Sequence, residues 1–235
     1  MNTNNENHVS PRRKFIGSLA AGAAAIGFMS LPLRLNAETI STIGNEYSDP
    51  SDPEEWFNKV KGKHRIVFDV THPDEIFPFA WPRVFLITNG KTGSTTSDCG
   101  VVVILRHNGI PYAFEDRIWE KYKFGELFKV DDPATKAPSI RNPFWQPKKG
   151  DYKIPGFGEV AIGINELQDD GVMFCVCNAA MTVFSAVVAN NMKMDATTVM
   201  NDWLSGLLLG VQVVPSGVWA VGRAQEHKCT YCFVG

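Results

Sequence analysis

Apolar positions along the chain fall into two rhythms. Short continuous runs of strand length, Arg65–Val70, Gly100–Leu105, Val172–Val176 and Val211–Val214, alternate with stretches whose apolar residues recur at helical spacing. Asp52-Pro53-Glu54-Glu55 puts Pro at the first helical position and acids in the first turn, which predicts a short helix to about Lys61. A helical pattern follows Pro82 over Trp81–Thr88 and stops at Asn89-Gly90. Ile118, Trp119, Tyr122 and Leu127 give the same spacing over Asp116–Phe128, and Glu166–Asp170 closes another short helix. Beyond Asn178, the residues Met181, Phe184, Val187 and Val188 predict a longer one. Asp195 is placed to cap a helix over Ala196–Leu209, and Ser216 one over Val218 to about Glu226. Thr230–Val234 reads as a closing edge strand. Strands alternating with helices, several of them continuously apolar, predict a three-layer α/β sandwich around a mostly parallel sheet.

One stretch breaks the alternation. Asp131–Tyr152 carries Pro133, Pro138, Pro143, Pro147 and Gly150 without periodicity, a length usually reserved for function or subunit contact. The region 116–152 as a whole is aromatic, with Trp119, Tyr122, Phe124, Phe128, Phe144 and Trp145. It is expected to form a satellite core under the loop or, in a functional role, a lid or preferably an oligomer interface.

The first segment reads as an address. Ser10-Pro-Arg-Arg-Lys-Phe-Ile16 fits a twin-arginine export signal, and the uncharged, Ala- and Gly-rich run Phe15–Leu33 suits its apolar core. Residues 1–37 are therefore taken as a signal peptide and 38–62 as a linker or N-terminal arm. Residues 63–235 form the domain, expected in the periplasm or otherwise exported, with no stable membrane span once the signal is cleaved. Four basic residues against one acid through Ala37 leave the remainder with a net charge of −5, from −2 for the whole chain. That balance excludes a basic nucleic-acid footprint. Passengers of the twin-arginine route usually fold before crossing, often around a cofactor or partner, which the residues leave unnamed.

All five cysteines, Cys99, Cys175, Cys177, Cys229 and Cys232, follow the signal. The number is odd, so one at least is free, liganded or paired between chains, while structural disulfides are expected of the others in an oxidising compartment. Cys177 stands where a buried strand empties into a helix, the place where an open α/β sheet gathers its chemistry and a helix N-terminus favours a thiolate. Cys175 lies two residues earlier, hence on the same strand face, and the two sulfurs could form a strained, redox-active pair. His107 ends another strand; beside Cys177 it would serve as general base or, protonated, hold a thiolate. Asn178 opens the helix after Cys177, and Ser216 and Gly217 open a second, so these three are the candidate cofactor-binding residues. Arg106, Arg141 and the Ser216 turn are candidate anion contacts. Four of the thiols, Cys175, Cys177, Cys229 and Cys232, could also supply a zinc or iron–sulfur site, although the Cys-x-Cys spacing is tight for it.

Val67-Phe68-Asp69, the run Val101–Leu105 leading into Arg106-His107, the Cys177-Asn178 helix start and Val213-Val-Pro-Ser-Gly-Val218 with Arg223-Ala-Gln225 resemble, in order, the DsrE/DsrF-like sulfur-relay family over His64–Gly235. The resemblance implies a flavodoxin-like sandwich, frequent oligomerisation and, in some members, a persulfide on the cysteine corresponding to Cys177. The insertion at 116–152, Cys175, the Cys229-Thr-Tyr-Cys232 end and export depart from the compact pattern. Two functions follow as expectations. One is an exported thiol protein that carries sulfur or cycles electrons on Cys177, with a small sulfur compound or redox partner. The other is a non-enzymatic, oligomeric protein that binds a ligand, metal or cofactor on the same fold.

Overall fold

The computed structural model describes residues 52–235; the expected signal and the linker up to Ser51 lie outside them. Five strands, β1 (His64–Val70), β2 (Cys99–Leu105), β5 (Met173–Cys177), β6 (Val211–Val214) and β7 (Thr230–Val234), form one sheet in the order β6-β5-β2-β1-β7. Every pairing in it is parallel. β3 (Lys153–Ile154) and β4 (Gly158–Glu159) make a separate small antiparallel hairpin. By position in the main sheet the order is 4-3-2-1-5, whereas flavodoxin runs 2-1-3-4-5. The three-layer α/β architecture with a parallel sheet stands as expected.

Alternation along the strands divides the interior into two cores. Phe68, Val70, Val101, Val103, Phe174 and Val176 face the larger one. Over it lie α2 (Phe77–Lys91), α5 (Ile164–Asp169), α6 (Asn178–Met192) and α7 (Ala196–Ser205). Val67, Val102, Ile104, Cys175 and Val214 face the smaller core, covered by α1 (Pro53–Phe57) and α8 (Gly217–Glu226). The crossovers from β1 to β6 therefore share one face, and the last, from β6 to β7, takes the other, as right-handed connections require when the chain reverses direction across a sheet.

Three boundaries moved for physical reasons. α2 starts at Phe77, keeps Pro82 inside and runs past Asn89-Gly90 to Lys91. Burial of Phe79, Pro82 and Leu86 holds the turn that Pro82 leaves without its hydrogen bond. α7 ends at Ser205 because Leu207 and Leu208 leave the helix to pair with Phe114 and with the Ala113 carbonyl (2.9 Å). The aromatic stretch splits into α3 (Asp116–Tyr122) and α4 (Phe124–Phe128), separated by Lys123 in left-handed backbone (φ 52°). Its rings turn inward: Trp119 and Phe124 are fully buried, and Phe128 and Phe144 are nearly so. They extend the larger core, as a satellite core under the loop would. The insertion is tied down by Asn142, fully buried, whose Nδ2 donates to the Tyr112 and Phe114 carbonyls at 2.9 Å each. Among the described residues no helix is long and apolar enough to cross a membrane.

Candidate functional site

β5 and β6 are neighbours, with Cys177 opposite Val214, but the chain leaves them toward opposite faces of the sheet. Adjacent strands whose connections diverge open a crevice at their carboxyl ends, the usual ligand position in an open α/β sheet. Here its walls are the first turns of α6 and α8. Cys177 is the N-cap of α6 (φ −74°, ψ 108°), and its Sγ accepts the Ala180 N–H at 3.3 Å. Ser216 is the N-cap of α8, and its Oγ accepts the Trp219 N–H at 3.2 Å. The Ala179 N–H donates to the Pro215 carbonyl at 3.2 Å and so joins the two turns. Cys177 is 6% exposed. Asn178, the next residue, has a buried Oδ1 with no hydrogen-bond partner among the described residues.

One strand over, Arg106 follows the last β2–β5 pair, Leu105 opposite Val176, and so comes level with Cys177. Its Nε and Nη2 grip Asp69 at 2.6 and 2.8 Å, and the Tyr231 hydroxyl donates to the same carboxylate at 2.7 Å. Asp69 is 1% exposed, so this pairing is what makes its burial tolerable. The Asp69 contact raises the Arg106 pKa further, which keeps the guanidinium charged at every pH the fold survives. Gly217 allows the approach: a Cβ there would stand 2.5 Å from Arg106 Cβ and Cδ. Arg106, Asp69 and Tyr231 also border a shallow cavity of about 300 Å³ with Val218, Val221 and Gln225. Asp69 stands out in the sequence only within the Val67-Phe68-Asp69 segment, and Tyr231 only as an aromatic in an edge strand.

The remaining predicted residues are dispersed. Cys175 is fully buried in the smaller core, whereas Cys177 belongs to the larger one. Strand alternation predicts one face for both; Cys177 is still paired in β5 opposite Val214, but its contacts lie with the larger core. Burial, chiefly, drives the Cys175 thiol well above its ordinary pKa, so it stays protonated. Cys229 is buried and pushed up to about 11, and Cys232 is partly exposed in β7. All five cysteines are free, so the expected disulfides are absent from the fold. Among the described residues no three His, Cys, Asp or Glu side chains converge as metal ligands, and the four-thiol site is not assembled.

His107 follows β2 in left-handed backbone (φ 50°). Its ring lies edge-on to His72 at 5.1 Å and 6.1 Å from Phe184 of α6. Partial desolvation, then the His72 and Arg106 charges, lower its pKa. The neutral imidazole is therefore favoured, and with it the role of base over that of a cation holding a thiolate. Arg141 is committed to Asp132 at 2.9 Å, away from the crevice.

No protein-family model matches the chain, and no curated protein does. Among solved structures it is similar to MTH1491 from Methanobacterium thermoautotrophicum, a protein of unknown function, at 20% identity and a TM-score of 0.33. That match covers 73% of this chain and 99% of the other. A likeness of this size carries no functional inference.

Proposed function

We propose that the chain is an exported, DsrE/DsrF-like thiol protein that carries sulfur on Cys177. The observation that carries this reading is the Sγ of Cys177 at the start of a 15-residue helix, accepting a backbone N–H where the first turn of α6 is hydrogen-bonded to the turn that opens α8. There the positive end of the helix dipole faces the sulfur. In the step proposed, the Cys177 thiolate attacks the outer, protonated sulfur of a persulfide donor. A new S–S bond forms as the donor's own S–S bond breaks, and the donor leaves as a thiolate with the electron pair. The orphan Asn178 Oδ1 supplies an acceptor beside the new S–H, and His107, which follows β2 at the same edge of the sheet, is the candidate base. Cys175, protonated and in the other core, takes no part.

Mass spectrometry of the polysulfide-treated protein tests the reading. Cys177 is expected to gain the mass of one sulfur atom, and Cys177→Ser to gain none at that peptide. An adduct that persists on the remaining thiols of Cys177→Ser at undiminished yield rejects it.

A further inference from the structure

A second cavity at the same edge of the sheet belongs to the insertion. It occupies about 480 Å³ between the loop after β1 and the segment 129–152, within the range of small-molecule sites. Its floor is aromatic. Phe144 and Tyr152 stack at 5.1 Å with planes 9° apart, and Tyr112 meets Phe144 edge-on at 5.5 Å. Tyr112 is 1% exposed and lines the cavity. Its hydroxyl has no hydrogen-bond partner among the described residues, and it is not sealed in protein either. The Tyr152 hydroxyl, by contrast, donates to the Pro143 carbonyl at 2.7 Å. Buried polar groups are nearly always satisfied, so whatever occupies the cavity must receive the Tyr112 O–H. Burial keeps that phenol neutral, and hence a donor.

The rim carries both signs of charge, Lys129 and Lys136 with Glu75 and Asp131. Among the described residues none of the four is in an ion pair. Asp132, in contrast, is consumed by Arg141 at 2.9 Å and the Ala134 N–H at 2.8 Å, contacts that fix the loop. All four rim charges are solvent-exposed and individually hydrated, so a ligand that carries both signs is the one that engages the two pairs together. We infer that this cavity binds a small zwitterion of amino-acid or short-peptide size, its carboxylate taken by Lys129 and Lys136, its ammonium by Glu75 and Asp131, with an acceptor atom on the Tyr112 hydroxyl. The site is independent of the thiol chemistry at Cys177.

The test uses the full chain. A thermal-shift screen of free amino acids and Ala-X dipeptides is followed by calorimetric titration of the most stabilising probe, its N-acetyl form and its C-amide. Saturable one-to-one binding is expected, weakened about tenfold or more by blocking either end or by the double change Lys129→Gln and Lys136→Gln. Tyr112→Phe is expected to weaken binding about fivefold while leaving the melting temperature of the unliganded protein in place, because the oxygen removed has no protein partner. A screen in which no probe stabilises the protein overturns the inference, as does equal binding of blocked and free forms. So does a Tyr112→Phe variant that binds like the wild type, since the Tyr112 hydroxyl then meets water and not the ligand.

Discussion

Gly217→Ala tests how tightly the crevice is built. The new Cβ would lie 2.5 Å from both Cβ and Cδ of Arg106, against an ordinary carbon–carbon contact of about 3.5–4.0 Å. The obstacle includes the root of the Arg106 side chain, so a rotamer change cannot clear it. Either the first turn of α8 or the end of β2 must move. Overpacking of this kind costs about 2 kcal/mol. Ala is favoured over Gly in a helix by about 0.8 kcal/mol, which leaves a net loss of roughly 1 kcal/mol. Gly222 lies in the same helix with nothing within 4 Å of its would-be Cβ, so Gly222→Ala shows the propensity gain alone. Urea unfolding of the pair should separate the two by about 2 kcal/mol, with the Gly217 variant below wild type and the Gly222 variant above it. For a domain of this size the melting temperature of Gly217→Ala should fall by roughly 2–4 °C. If Gly217→Ala stabilises as much as Gly222→Ala, the approach of Arg106 to α8 is not the constraint described, and the Asp69–Arg106–Tyr231 cluster is looser than its distances imply.

Two further outcomes follow from the same geometry. Cys177→Ala removes the N-cap acceptor of α6 and should cost roughly 0.5–1 kcal/mol, whereas Cys177→Ser keeps an acceptor and should stay within about 0.5 kcal/mol of wild type. Equal stability losses in unfolding experiments would deny Cys177 its capping role, whereas the proposed function expects both variants to lose sulfur uptake. The lowered pKa of His107 means that the native state binds fewer protons than the unfolded chain below about 6.5. Stability should therefore fall as pH drops through that value and level off below the folded pKa. His107→Asn suits the left-handed backbone and should flatten the dependence in a series of urea midpoints; an unchanged slope would place its origin elsewhere.

Local signals in the chain specify the elements and the caps. Asp195 and Ser216 cap α7 and α8 through their side chains, and Cys177 opens α6, because each depends only on residues three positions away. Short-range patterning also suffices for continuously apolar strands buried on both faces, and with them the α/β architecture. Local rules did not settle which core a residue joins. Period-two alternation paired Cys175 with Cys177, yet the two pack in different cores. Aromatic residues in a Pro-rich stretch left core, lid and interface open, and their rings joined the larger core, with Asn142 fastening the loop to Tyr112 and Phe114 some 30 residues away.

The sequence by itself determined that a cysteine would stand at the junction of a buried strand and a helix, since strand length, helix start and cap are all written within a few residues. Only the tertiary structure decided what surrounds it. The reversal of the chain between β6 and β7 sends α6 and α8 to opposite faces and so creates the crevice. Arg106 meets Asp69 across 37 positions and Tyr231 shares that carboxylate across 162. Such contacts are set by the strand order, because residues far apart in the chain become neighbours only when their strands are hydrogen-bonded side by side.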